Sequence, residues 1–445
     1  MSSNKENEHP PLGIEIRRAI EHHFPEMLEK LSSLTDSRKR KTYEIAEILM
    51  AGIMLFVFKE DSRNSFDNDR KTKRFALNYK RLFGVRLPHQ DTVNAVFRVI
   101  DEKELEKVKL WMLRILLKRR VLHKYRLLGR YFGIAVDATG YQKFDYEPYP
   151  GCPYRTYKNG KKVWFQPILE AKLVASNGFC ISIGTEWIIN EEEYSKQDCE
   201  QKAFKRLAVK LKADFPRLNI CILADGLYPN NSIFDICKQY DWRFIFTLKD
   251  DQLKDVWKEV SKFECDYEEN QLIREHIFNE TTSQTSNYRW INDIKYKEHS
   301  LNWIECQIFQ KKIDCSENKT EEEEEHRFVH ITDIEVSKEN CQEISLFGCL
   351  RWNIENEGFN TQKNGGYNLQ HRFSRTNFRA IQNYYQAMQI AHMINQLVEL
   401  SERFARRLTG KTTIKHLWKV MIAFMFFGKI EEQELVFPKT KFRYE

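Results

Sequence analysis

The stretch YFGIAVDATG, residues 131–140, decides the fold. Upstream of it apolar residues recur at helical spacing. Here they form a short run that stops at Asp137, the length of a buried strand. Two further strand candidates follow, ILEAKLVA at 168–175 and FCISIGTEWII at 179–189. They are joined by Ser176-Asn177-Gly178, and Asn-Gly between apolar runs is a hairpin signal. Then come a helix from about Lys196 to Phe215, the strand LNICILAD at 218–225 and a helix from about Asn230 to Tyr240. The strand WRFIFTL at 242–248 and a helix starting near Asp250 complete the series. That order suits an α/β fold, a mixed sheet with helices on its faces.

Working outward, residues 1–12 read as a polar tail and residues 13–128 as an all-helical N-terminal domain. Ile45, Ile48, Leu49, Gly52, Leu55 and Phe56 keep helical spacing; Asp91 or Thr92 starts another helix, and a third runs from about Glu102 to Arg120. The first part of the sheet domain spans 129–261. Residues 262–325 break its rhythm with alternating segments such as YRWINDIKY and NWIECQIFQKK, and they close in a solvated run of five glutamates. We read them as a β-rich insertion. FVHITDIE resumes the sheet, whose second part covers 326–410, and a helical segment occupies 411–445.

Composition narrows the class. Of 445 residues, 42% are hydrophobic and 30% charged, a globular balance. Net charge is +7, a mild excess that permits a polyanionic partner. The ten cysteines contain no CxxC, which argues against a zinc ribbon or finger. The start MSSNKENEHPP has no apolar core, so no signal peptide is expected and the thiols are expected reduced. The longest apolar run, Ile48 to Phe58, is about half the length of a membrane span of about 20 residues, so no membrane partner is expected.

Three acids stand out by position. Asp137 ends the first strand and Asp225 the fourth; Glu355 lies in RWNIENEGFN, on a helix beyond the insertion. Sites form at the carboxyl ends of neighbouring strands in an open sheet. Crowded carboxylates repel, and a divalent cation relieves the repulsion; hard oxygens suit magnesium. Two such ions could activate a water or a DNA hydroxyl. Taken singly, each acid reads more readily as a strand-end turn residue or a surface charge. Arg351 is four residues before Glu355 and shares its helical face, either as a phosphate clamp or as a plain ion pair. Position 362 returns to that face at 3.6 residues per turn.

At these residues the sequence resembles the DDE transposases of cut-and-paste bacterial insertion sequences, in particular the branch with a Tyr-Arg-Glu-Lys signature. VDATG resembles the first-aspartate motif, ADGLYPNNSIFDICKQYDWRFIFTLKDD the second-aspartate region, and RWNIE the glutamate motif. The likeness runs from about Tyr131 to Leu400. It implies a ribonuclease-H-like mixed sheet interrupted by the β-rich insertion, with Asp137, Asp225 and Glu355 as catalytic residues and ligands of two Mg²⁺ ions. It implies hydrolysis at the element's ends, then attack of the freed 3′-hydroxyl on target DNA. The partners it implies are double-stranded DNA, as terminal repeats and target, and a second copy of the chain on paired ends. The setting it implies is the cytoplasm, at the nucleoid. Two signature positions depart from the pattern: Gly348 stands where the tyrosine belongs, and Gln362 where the lysine belongs, with Lys363 one place later.

Candidate DNA contacts are Arg351, Lys363, Arg155 and Lys158. The last two lie in YRTYKNGKK, residues 154–162, which interleaves aromatic and basic residues as a DNA-tracking loop would, or as an exposed hairpin would. Basic clusters at Arg38–Lys41, Lys71–Arg81 and Lys118–Arg120 could neutralise phosphates or simply coat a solvated helical face. Trp290 and Trp303 in the insertion read as buried sheet residues more readily than as receivers of a flipped base. Alternatives to the transposase reading are an inactive DNA-binding derivative and a metal-dependent nuclease that never joins ends.

Overall fold

The computed structural model describes residues 10–190, 199–262, 270–279, 282–313, 321–437 and 441–444. Most of the expected polar tail and the expected helix start at Lys196 lie outside them. Seven α-helices precede the first strand among the described residues: α1 (Leu12–His23), α2 (Met27–Ser32), α3 (Ile45–Val57), α4 (Arg63–Lys71), α5 (Lys73–Phe83), α6 (Gln90–Phe97) and α7 (Glu102–Lys118). Every residue of α3 is buried, as befits a helix apolar on all sides. Its start is a capping box in which Glu47 accepts from the Glu44 N–H at 2.9 Å. Glu47 also receives the Arg86 guanidinium fork at 2.6 and 2.8 Å. Gly52 lets α6 approach, since a Cβ there would lie 2.5 Å from the Phe97 ring.

The sheet has ten strands: β1 (Phe132–Phe144), β2 (Tyr154–Thr156), β3 (Lys162–Val174), β4 (Cys180–Trp187), β5 (Ile220–Ala224), β6 (Arg243–Thr247), β7 (Gln271–Asn279), β8 (Thr282–Tyr296), β9 (His299–Ile313) and β10 (Glu321–Thr332). Their order is β2-β3-β1-β5-β6-β10-β9-β8-β7, with β4 sharing the outer edge of β3 with β2. β1 runs antiparallel to β3 and parallel to β5, and β5 is parallel to β6. The β3–β4 hairpin turns at the expected Asn-Gly, with Gly178 at φ 95°.

Three expectations change. β1 does not stop at Asp137 but continues to Phe144, because β3 goes on pairing with it after β5 has ended at Ala224. The β-rich segment is not set apart from the sheet: β10 pairs with β6 on one side and β9 on the other, so the β7–β10 meander extends the same sheet. The glutamate run, Glu321–Glu325, expected to end the insertion, instead opens the strand β10.

Helices α8 (Glu200–Asp214), α9 (Asn231–Tyr240) and α10 (Lys254–Lys262) interleave with the core strands. After β10 come α11 (Cys341–Cys349), a π-helical turn at Ile354–Asn360, α12 (Thr361–Asn364), α13 (Phe378–Glu399), α14 (Glu402–Ala405) and α15 (Ile414–Phe427). Helix α13 is buried from Ala380 to Val398 and packs against α3, α7 and β4. The N-terminal helices, one sheet face, α13 and α15 therefore share a single apolar core. A second core joins Ala135, Cys221, Leu223 and Ile245 on the other face to Phe347 of α11 and to Ile354 and Phe359 of the π-turn. Trp290 and Trp303 are each 2% exposed, in keeping with their reading as sheet core. No helix among the described residues is long and apolar enough to cross a membrane.

Candidate active site

Parallel pairing of β1 with β5 sets the two aspartates side by side. Phe132 pairs with Ile220 and Ala135 with Leu223. Two residues further in the same register stand Asp137, still within β1, and Asp225, just past the end of β5. Side chains alternate along a strand, so Asp137 takes the face of Ala135, the face covered by the π-turn. Asp137 is half-buried, and its Oδ1 accepts from the Ala138 N–H at 2.9 Å. Asp225, one residue past β5, caps its own loop by accepting from the Leu227 N–H at 3.0 Å.

Burial pushes the Asp137 carboxyl up to about 7, and the charge of Glu355 pushes the same way. The Ala138 N–H and the Arg351 guanidinium oppose the rise without cancelling it. Glu355 is thus within electrostatic reach of Asp137. It is exposed, however, and its Oε1 is held by Arg351 Nη1 at 2.5 Å. Arg351 is 8% exposed and lies 5.7 Å from the Trp352 ring centre.

The helix expected around Glu355 is a π-turn, which bonds i to i+5 instead of i to i+4. Residues five apart then stack, and Ile354 and Phe359 both enter the core. Asn353 Nδ2 ties the turn to the β3–β4 hairpin through Ala175 O at 3.0 Å. The wider turn overturns the 3.6-residue arithmetic for position 362. Gln362 is fully buried and bonds Gln389 and His392 at 2.9 and 3.1 Å, behind the site. Lys363 is half-buried with its ammonium 6.0 Å from the Phe359 ring centre. At Gly348 a Cβ would meet the buried His330 ring at 2.5 Å, so a signature tyrosine has no room there. Burial, with Arg351 nearby, lowers the His330 imidazole to about 4.

Arg155 and Lys158 are both exposed, on β2 and in the turn after it. The aromatic–basic interleaving folds into stacked pairs: Arg155 over Phe165 at 5.1 Å and Lys162 over Tyr154 at 4.6 Å. This hairpin lies alongside the half of β1 that follows Asp137.

The donor set fits one hydrated divalent cation at Asp137 and Asp225, since magnesium is commonly held by one or two carboxylates and its own waters. A desolvated acid with a raised pKa beside other acids is a donor that a cation would ionise. Among the described residues no three His, Cys, Asp or Glu side chains are placed to share one ion. Two residues escaped the sequence reading. Glu200, the first residue of α8, adds its charge to both aspartates' surroundings, and Tyr228 is buried beside the same acids. Tyr228 stood in the quoted ADGLY, but nothing in the pattern set it apart. Glu200 reads as an ordinary first-turn acid.

No protein-family model matches the sequence, and no curated protein matches it. Among solved structures, the chain resembles a piggyBac transposase in a synaptic complex with hairpin DNA. Identity is 9%, with 95% of this chain and 87% of that chain covered, at a TM-score of 0.34. A likeness that slight carries neither fold nor function.

Proposed function

We propose that the chain is a DDE transposase of the insertion-sequence type. It would cleave DNA at element ends and join the freed 3′-hydroxyl to target DNA. The observation that carries this reading is the parallel register that sets Asp137 beside Asp225, with Glu355 within electrostatic reach on the π-turn. Support for a ribonuclease-H-like core comes from the order β4-β3-β1-β5-β6, with β3 antiparallel and β5 and β6 parallel to β1.

In this reading Asp137 and Asp225 hold divalent cation, magnesium by the hardness of their oxygens, and Glu355 joins them once Arg351 lets it go. When bound, the metal activates the attacking oxygen and stabilises the leaving one. Arg351, freed from Glu355, presents a planar fork to a phosphate. The exposed Arg155 and Lys158 follow the backbone of double-stranded DNA beside the site, and Lys363 supplies a further cation. Joining two ends calls for two active sites, hence a homodimer on paired ends. The substrate places the work in the cytoplasm, at the nucleoid.

The test uses linear DNA bearing the inverted repeats that flank the gene, with magnesium, with EDTA, and with Asp225→Ala. Magnesium-dependent cuts at the repeat boundary, lost in the variant, are expected; transfer to a plasmid separates a transposase from a nuclease. One observation favours a second reading, an inactive DNA-binding derivative. Arg351 already neutralises Glu355, and both altered signature positions, Gly348 and Gln362, are filled by packing. Salt-sensitive binding to the repeats without any cutting would select it.

A further inference from the structure

Helix α8 begins against the loop that carries Asp225. Gln201 Nε2 donates to Leu227 O at 3.2 Å. One turn further, the Phe204 ring meets the Tyr228 ring edge-on, centroids 5.5 Å apart. Residues four apart share a helical face, so Glu200 and Phe204 both look toward Tyr228. Tyr228 is 1% exposed, and its hydroxyl has no hydrogen-bond partner. The charges acting on that hydroxyl are Glu200, Asp137 and Asp225. A buried hydroxyl within electrostatic reach of three acids, and bonded to none of them, is a donor awaiting an acceptor. A hydrated cation supplies such acceptors in its water oxygens.

We propose that Glu200 and Tyr228 complete the cation site from the α8 side, binding the waters of a divalent ion whose direct ligands are Asp137 and Asp225. The inference rests on the reading of those two aspartates as metal ligands. It assigns Glu200, and not the Arg351-bound Glu355, as the third acid of the DNA-free protein. It is compatible with the absence, among the described residues, of three acids placed to share one ion, because Glu200 acts through water. Partners that orient metal-bound groups in this way typically contribute 10–100-fold in affinity.

The experiment is Mn²⁺ binding to the full chain without DNA, by calorimetry and by the electron paramagnetic resonance signal of the free ion. Glu200→Gln is expected to weaken binding by about tenfold or more. Tyr228→Phe should weaken it several-fold. Unfolding midpoints in EDTA that match the parent's exclude a folding defect; Tyr228→Phe, nearly isosteric, keeps the question open to test if Glu200→Gln folds poorly. Parent-like Mn²⁺ affinity in both Glu200→Gln and Tyr228→Phe overturns the proposal, as does a parent protein that binds no Mn²⁺. A parent that binds Mn²⁺ through Glu200 yet cuts no repeat DNA removes the transposase reading and leaves this site standing.

Discussion

Glu60 is a carboxyl 7% exposed, held by the Ser65 hydroxyl at 2.7 Å and crowded by Asp69 and Asp61. Burial, chiefly, pushes it above the usual carboxylate range. Its folded pKa exceeds its unfolded one, so the fold holds the extra proton. Stability from this group is then full below the ordinary carboxylate pKa and is lost as pH rises toward the raised value. Glu60→Gln is expected to flatten that fall and to exceed the parent's stability at alkaline pH by an amount on the order of 1 kcal/mol, measured by urea unfolding across pH. Gly348 gives a second prediction at this scale. Gly348→Ala should cost about 1–3 kcal/mol through collision with His330, and His330→Ala should relieve most of it in a double-mutant cycle. Additive costs would show that the ring is not what bars a side chain. That Asp137 would come to lie beside Asp225 was legible from the two apolar strand runs, although β1 runs on past Asp137. Glu200 was not, because an acid in a helix's first turn is too common to carry information.

At the scale of elements, the π-turn and the β2–β3 hairpin part company in legibility. The aromatic–basic alternation of residues 154–162 was visible in sequence, and the structure adds that its rings and cations stack in pairs. On the proposed reading, Arg155→Glu with Lys158→Glu should weaken DNA binding without shifting the melting temperature. It should also lower the salt slope by about one unit per cation removed, and an unchanged slope would take the hairpin off the DNA path. The π-turn could not be read, because Arg351, Glu355 and Gln362 fit a 3.6-residue helix equally well on paper. What widens the turn is packing: Ile354 and Phe359 must both reach the core, and a Cβ on Gly358 would lie 3.1 Å from Cys180 Sγ. Likewise the apolar run of β1 ends at Asp137, yet the strand goes on, since its partner β3 sets the length and hydrophobicity does not.

Over the whole molecule, the N-terminal helices are tied to the sheet by a buried charge. Lys109 of α7 is fully buried, and its Nζ donates to Ser182 Oγ at 2.8 Å and Thr185 Oγ1 at 3.0 Å on β4. Thr185 in turn donates to the buried Glu170, whose partner across β1 is Asp137. Lys109→Met would remove one of the cations acting within the cluster that holds the buried Glu170 and should cost about 3–5 kcal/mol in chemical denaturation, far more than an exposed lysine of the same helix. This join had no sequence signature, because α13, which shares the core with α3 and α7, lies far along the chain from both.

The unbroken sheet has a mechanical corollary. With β6 bonded to β10, and β10 to the long meander strands, nothing in the described backbone separates the meander from the strand next to Asp225's own. Two fifteen-residue strands reach about 50 Å at 3.3 Å per residue. Such an arm meets the core sheet through three residue pairs, His330 with Thr247, Ile331 with Phe246 and Thr332 with Ile245. Tilting a load seated along it would therefore strain that short ladder first, one strand away from β5, which leads into Asp225.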